Sequence, residues 1–364
     1  MKKLLLLFLY LPITSYSQLF FTTESKESLN PLSDSINFWS FDLNTNNLIG
    51  PTFIDSVGGD LYFDGNSTYN LIDNKIYSLV STSASSGGSF GGNAIVSIDA
   101  TGVVQFIYED SLEVFSIIEV VDNKLYLLSN PKWNSPAKFW SFDLNTNNLI
   151  GPTIIDSTGV IIYWNSTSNL LDNKIYVVAE DTSGKSYIFS IDTTGGVQLI
   201  YDDTDEIFVS IETFNNKLYL ISYSSGTPYI HFYTIDINTN NIITGPIIID
   251  SIFAGIEYHN STFNPLDNKI YIIRNGSSDF HDISSIDTNG VILLIYQDST
   301  QRLGIIEAKI NNSLTSINEI SFHNSKKLIK TINLLGQESI PNQKNILLFY
   351  IYSDGSVERK IIIE

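Results

Sequence analysis

A chain of 364 residues with 43% hydrophobic, 12% aromatic and 16% charged residues is globular in composition and long enough to bury a large core. It contains no cysteine, which excludes disulfide bracing, thiolate catalysis and thiol redox chemistry. The net charge of −19 is concentrated in residues 4–320, where 12 basic residues face 35 acidic ones for a balance near −23; such a surface repels phosphate backbones and anionic lipid, so neither a nucleic-acid partner nor membrane insertion is expected.

Residues 1–17 read as a signal peptide. Lys2 and Lys3 form a positive start, Leu4 to Leu11 an apolar stretch, and Ser15-Tyr16-Ser17 a small-residue cleavage site. The apolar stretch is far shorter than the roughly 20 residues a membrane-spanning helix needs. Gln18 follows the cut, so no thiol is available there for lipid attachment. The mature chain is expected to begin near Gln18, with 18–37 a lead-in and the destination secreted or outer cell surface.

From 38 to 318 the chain repeats. FWSFDLNTNNLIGPT at 38–52 recurs unchanged at 139–153 and returns as FYTIDINTNNIITGP at 232–246. Between these lie shorter units, SIDATGVVQFIYEDS from 97, SIDTTGGVQLIYDDT from 190 and SIDTNGVILLIYQDS from 285. An Asn-Lys-aliphatic-Tyr strand follows each: Asn74 to Tyr77, Asn123 to Tyr126, Asn173 to Tyr176, Asn216 to Tyr219 and Asn268 to Tyr271, with an eroded sixth copy at Asn311-Asn312-Ser313-Leu314-Thr315.

Alternating apolar and polar residues separated by Asn- and Gly-rich turns give four strands per unit. Six such units about 45 to 50 residues apart predict an all-β, six-bladed β-propeller built from three duplicated blade pairs. Radial closure removes the edges that an open β-solenoid, the competing architecture, would expose. In layout the units resemble kelch-like and quinoprotein-like propellers.

After residue 318 the pattern changes. KKLIKTINLLG at 326–336 with Gln337, then LLFYIYSDGSVERKIIIE from 347 to the end, form an apolar strand, a Leu-Leu-Gly-Gln step, a Phe-Tyr-Ile-Tyr strand, an Asp354-Gly355 turn and a Lys-Ile-Ile-Ile end. This segment, 319–364, resembles the C-terminal sorting domain of the Bacteroidetes type IX secretion system. It lacks the Tyr-Pro-Asn-Pro opening of longer versions. The resemblance implies a small β unit that the type IX machinery reads as an address and then removes, leaving the body released or held on surface polysaccharide.

The search for chemistry in the body assigns no catalytic residue and no metal-ligating set. Asp42-Leu43-Asn44-Thr45-Asn46-Asn47, repeated at Asp143 to Asn148 and Asp236 to Asn241, has the oxygen spacing of half a calcium loop. The closing Glu is missing, with Phe53, Ile154 and Ile247 where it would fall, so an Asx-type turn is preferred and no cofactor is expected, calcium being the lesser reading. Recurrent Asp55, Asp110, Asp156, Asp203, Asp250 and Asp298 read as turn caps.

Asn66-Ser67-Thr68, Asn165-Ser166-Thr167 and Asn260-Ser261-Thr262 match the glycosylation acceptor pattern but recur at one place in each long unit, so repeat structure explains them better. Gly184-Lys185-Ser186 lacks the earlier glycine of a phosphate loop and reads as a hairpin tip, and the Ser/Gly run 81–92 as a flexible connection. His231, His259, His281 and His323 show no metal-pair spacing. The tyrosines of the Asn-Lys-aliphatic-Tyr strands read as packing between blades.

These features predict a non-catalytic propeller binding an unidentified extracellular glycan or protein, with the channel mouth near Trp133 and Trp164 as the place to look. The alternative is a polysaccharide hydrolase or lyase whose carboxylates converge at that mouth.

Overall fold

The computed structural model describes residues 17–25, 36–54, 61–62, 66–82, 92–110, 112–129, 135–156, 161–224, 229–251, 257–275, 281–298, 301–310, 328–333, 337, 339, 347–352 and 357–361. Among these residues every regular element is a strand. The chain divides into two compact units, Met1–Asn311 and Asn312–Glu364, so the division falls slightly before the 318/319 junction expected from the sequence.

In chain order the first unit opens with β1 (Ser17–Ser25), β2 (Ile36–Asp42) and β3 (Asn47–Ile54). A sheet follows with β4 (Leu61–Tyr62) and β5 (Ser67–Asn70) both on β6 (Lys75–Thr82), then β7 (Ala94–Ile98) and β8 (Val104–Glu109). The next comprises β9 (Phe115–Val121), β10 (Lys124–Ser129), β11 (Ala137–Asp143) and β12 (Asn148–Asp156). After it come β13 (Ile161–Asn169), β14 (Lys174–Asp181), β15 (Ser186–Asp192) and β16 (Val197–Asp203). Then follow β17 (Glu206–Phe214), β18 (Lys217–Ser224), β19 (Tyr229–Asp236) and β20 (Asn241–Ser251). The last complete set is β21 (Glu257–Asn264), β22 (Lys269–Asn275), β23 (His281–Asp287) and β24 (Ile292–Asp298). β25 (Gln301–Ile310) joins β1, β2 and β3 in the sheet order β25-β1-β2-β3.

Six antiparallel meanders thus stand around a ring formed by their first strands, β5, β9, β13, β17, β21 and β25, each packed on the next. The fold is the expected six-bladed β-propeller. Its blades are of two alternating kinds. Three, led by β5, β13 and β21, carry Asn-Ser-Thr on the inner strand and are called hydroxyl blades below; three, led by β9, β17 and β25, carry Ile-Glu and are called glutamate blades.

Closure differs from the sequence expectation. The second strand of the sixth blade is β1, which pairs with β25 from Ser17 opposite Ile310 to Ser25 opposite Gln301. Residues 17–25 are therefore part of the propeller rather than a lead-in, and the eroded copy at 311–315 lies outside the described residues. The repeat unit is also shifted in phase: FWSFD and its partner strand are the outer pair of a glutamate blade, while the Asn-Lys-aliphatic-Tyr strand that follows belongs to the next, hydroxyl blade. Joining the two ends in one sheet leaves no gap in the ring.

Burial follows position in the blade. All of β7 is buried, as are Leu125 to Ser129 of β10, because middle strands are covered by neighbouring blades on both faces. Apolar clusters accordingly span the seams between blades: Phe20, Ile36 and Phe38 of the closing blade pack with Ile76, Val80 and Val96 of its neighbour. Each such fully buried side chain contributes roughly 1.5–3 kcal/mol. Inner hairpins turn on Asn residues in left-handed conformation, including Asn74, Asn173 and Asn268 at φ 58°, 55° and 55°, which asparagine tolerates better than most side chains.

The second unit contains β26 (Leu328–Asn333), β27 (Leu347–Tyr352) and β28 (Val357–Ile361), an antiparallel sheet in that order with Leu348 and Tyr350 buried. The Asp354-Gly355 turn lies outside the described residues.

Candidate functional site

The inner strands bring together groups that the sequence scatters. At one level of the channel stand Glu119 of β9, Glu212 of β17 and Glu307 of β25, only 4%, 7% and 6% exposed. Each accepts a hydrogen bond from the serine of the hydroxyl blade that follows: Ser166 Oγ to Glu119 Oε1 at 2.7 Å, Ser261 Oγ to Glu212 Oε1 at 2.6 Å and Ser67 Oγ to Glu307 Oε1 at 2.7 Å. Each also takes the threonine hydroxyl of the hydroxyl blade that precedes it, Thr68, Thr167 and Thr262 in turn. The result is a ring of three carboxyls and six hydroxyls with approximate threefold symmetry.

The three Asn-Ser-Thr triplets are the source of those hydroxyls. Two of their asparagines serve the backbone: Asn66 Nδ2 donates to Ser116 O at 2.9 Å and, past that strand, to Trp164 O at 3.3 Å, while Asn260 Nδ2 donates to Gly304 O at 2.8 Å. Alternation of side chains along an inner strand sends the serine toward one neighbouring blade and the threonine toward the other.

Burial sets the acidity of the ring. It lifts Glu119 from 4.5 to about 7 against the pull of its hydroxyl donors Ser166, Ser168 and Thr68. Glu212 rises to about 8 for the same reason, with the Glu119 charge adding to the effect, and Glu307 lies well above the usual carboxylate range through burial and then the charges of both partners.

A second set of polar clusters fills the start of the glutamate blades. Glu206 accepts from Ser222 Oγ at 2.7 Å and meets His231 Nδ1 at 2.9 Å; in the equivalent place Glu113 accepts from Ser129 Oγ at 2.8 Å and pairs with Lys138. His231 therefore occupies the position that Lys138 holds in the equivalent cluster. Arg274 is clamped by Asp282 through Nε and Nη2 at 2.7 and 2.9 Å and reaches Asp250 with Nη1 at 2.7 Å.

The Asp42, Asp143 and Asp236 loops are Asx turns, in which Oδ1 accepts the backbone N–H two residues on at 2.8, 2.9 and 2.8 Å. Asp110 and Asp203 cap the crossing to the next blade, each through two amides and a tyrosine hydroxyl. Gly184 sits at a hairpin tip capped by Asp181. Tyr77, Tyr176 and Tyr271 are buried and donate to the aspartates of their own turns, Asp73, Asp172 and Asp267, at 2.6, 2.7 and 2.5 Å.

Trp164 is half-buried, with Nε1 on Phe208 O of the next blade at 3.2 Å, so its ring packs a seam rather than facing a ligand. Trp133, His259 and His323 are not among the side chains the structure describes. Among the described residues no three His, Asp or Glu side chains are arranged to hold a metal ion.

One surface feature also recurs. The inner hairpins of the hydroxyl blades present aliphatic side chains to solvent at a single end of the channel: Ile72 is 66% exposed, Leu171 47% and Leu266 41%. These three occupy equivalent positions, one in each hydroxyl blade, and are the collar residues of that mouth. Sequence reasoning missed both ring and collar, although Ile-Glu at 118–119, 211–212 and 306–307 and the recurring Leu-Ile, Leu-Leu and Pro-Leu before the Asp-Asn turn carried the signal.

No family model matches the chain, and no curated protein matches it. Among solved structures it is similar to TolB from Acinetobacter baumannii, with a TM-score of 0.57 and 13% identity over 80% of this chain and 66% of that one. A chain of the nidogen/laminin complex gives a TM-score of 0.53 at 9% identity, covering 80% and 98%. Hydrazine synthase of Kuenenia stuttgartiensis gives 0.53 at 11%, covering 80% of this chain and 46% of its own. At such identities the likeness shows the propeller fold alone.

Proposed function

We propose that this is a secreted or cell-surface, non-catalytic propeller, delivered by its signal peptide and type IX-like tail, that holds an extracellular protein at the collar end of its channel. The observation that carries the reading is the threefold recurrence of exposed aliphatic residues at Ile72, Leu171 and Leu266. Exposed aliphatic side chains repeated at equivalent blade positions offer a partner three matched points of apolar contact. Aliphatic rather than aromatic side chains favour a protein over a glycan, whose rings are held by stacking.

A hydrolase would need accessible carboxyl groups facing one cleft. The carboxyls that converge here are buried and engaged by hydroxyls, which speaks for scaffold use. The reading requires no cofactor.

The test is to localise the protein in its native cell, weigh its mature form, and cross-link it there beside the Ile72→Glu/Leu171→Glu/Leu266→Glu variant. A mass lacking both ends and a protein adduct lost in the variant are expected. Retention in the cytoplasm, an unchanged adduct in the variant, binding to a glycan array alone, or hydrolytic turnover of a polysaccharide would each count against it.

A further inference from the structure

We infer that the channel ring is a proton-held lock: Glu119, Glu212 and Glu307 keep the inner strands together by sharing protons with the surrounding hydroxyls, and the lock loosens as those protons leave.

Charge and enclosure together make the ring depend on protons. Three carboxyls occupy one buried ring, near enough that the charges of Glu119 and Glu212 act on Glu307 and that of Glu119 acts on Glu212. Two carboxylates enclosed together cannot both ionise freely, and three are worse. Among the described residues no cation is ion-paired to any of them.

The facing groups on every packed element are these. β5 contributes the Ser67 and Thr68 hydroxyls and the Tyr69 phenol, which donates to Asn74 Oδ1 and feels the Glu307 charge. β13 contributes the hydroxyls of Ser166, Thr167 and Ser168, and β21 those of Ser261 and Thr262. From the glutamate blades come Ser210, whose Oγ donates to Ser261 Oγ at 2.7 Å, and Thr213, 3.4 Å from Thr167. Lys309, two residues after Glu307 on β25, lies over the Phe20 ring of β1, 5.4 Å from its centroid, and is itself depressed by burial.

Hydroxyls both donate and accept, so such a ring bonds a neutral carboxyl as well as a charged one by reversing the direction of a donor. Neutral carboxyls remove the repulsion while keeping the bonds that join neighbouring blades. When the protons leave, charge accumulates at the one place where all six blades meet. The raised affinity of all three groups for protons agrees with this.

The test uses the full chain and the Glu119→Gln/Glu212→Gln/Glu307→Gln variant. Infrared spectra of the wild type at pH 7 are expected to show the carbonyl stretch of neutral carboxylic acids, absent from the variant. The wild-type unfolding constant is expected to rise about tenfold per pH unit for each proton held, from about pH 5.5 to about pH 7, relative to the variant. Should the triple variant fail to fold, the wild-type band and single Gln substitutions carry the same test. Absence of the band at pH 7, or parallel stability profiles, would overturn the inference, as would destabilisation by a chelator at pH 7, the mark of a ring neutralised by a metal cation.

Discussion

Ser166 and Glu119 lie 47 residues apart in the chain and 2.7 Å apart in space, joined across the seam between two blades. Ser67 and Glu307, at the junction next to chain closure, repeat the relationship across 240 residues. A bond of this kind fixes one blade against the next through side chains alone. Replacing Ser166 by Ala leaves Glu119 with Thr68 and Ser168 as donors, so the expected loss is about 1–2 kcal/mol, the range for a buried hydrogen bond with partial compensation. Urea unfolding at pH 7 measures it; a change below about 0.5 kcal/mol would mean that the seam bond adds nothing.

How much of this was legible follows from distance along the chain. Strand number, alternation of blade type and the Asx turns are local or periodic, and repeated strings such as FWSFDLNTNN display them directly. The ring is non-local: the partner of each Asn-Ser-Thr serine is a lone glutamate in another repeat, and a triplet that matches an acceptor pattern says nothing about which neighbour it faces. Closure was hidden for a different reason. Gln18 to Glu24 has no Asn-Lys-aliphatic-Tyr signature, yet its Leu19, Phe20 and Phe21 fill the same buried place, so composition alone did not mark β1 as the sixth blade's missing strand.

Gly151 has φ of +131°, and a Cβ there would sit 3.0 Å from Phe139 O and 3.2 Å from Cε3 of Trp140. Both the backbone angle and the space require glycine. Gly151→Ala is expected to destabilise by about 1–3 kcal/mol, with the equivalent change at Gly50 giving a similar loss because Phe38 and Trp39 stand in the same places. Thermal or urea unfolding of the two variants checks this, and tolerance at both would contradict the geometry.

His231 and Lys138 are interchangeable by position, each meeting a glutamate at or just before the start of its blade's inner strand. His231→Lys is therefore expected to stay within about 1 kcal/mol of the wild type. His231→Leu leaves Glu206 with the hydroxyls of Ser222 and Tyr233 and is expected to lose about 2 kcal/mol, within the range for removing one partner of a buried hydrogen bond. Equal losses in the two variants would show that shape, not the pairing, matters at this site.

Glu119 makes stability depend on pH within the physiological range. Its folded-state affinity for a proton is raised from 4.5 to about 7, so the neutral form is the one the fold favours. The associated stability is complete below about pH 4.5, where folded and unfolded chains are both protonated, and is lost progressively as pH climbs to about 7 and the unfolded carboxyl alone releases its proton. Over that window the loss is on the order of 3 kcal/mol. Glu119→Gln cannot ionise and escapes it, and it also removes one of the charges that Glu212 and Glu307 feel. Relative to the wild type, the variant is expected to gain stability steadily from pH 5 to about pH 7 and to be the more stable protein at the upper end. Urea midpoints at the two pH values decide the matter: a difference that stays constant across the range would mean that Glu119 is already ionised in the folded channel at pH 5.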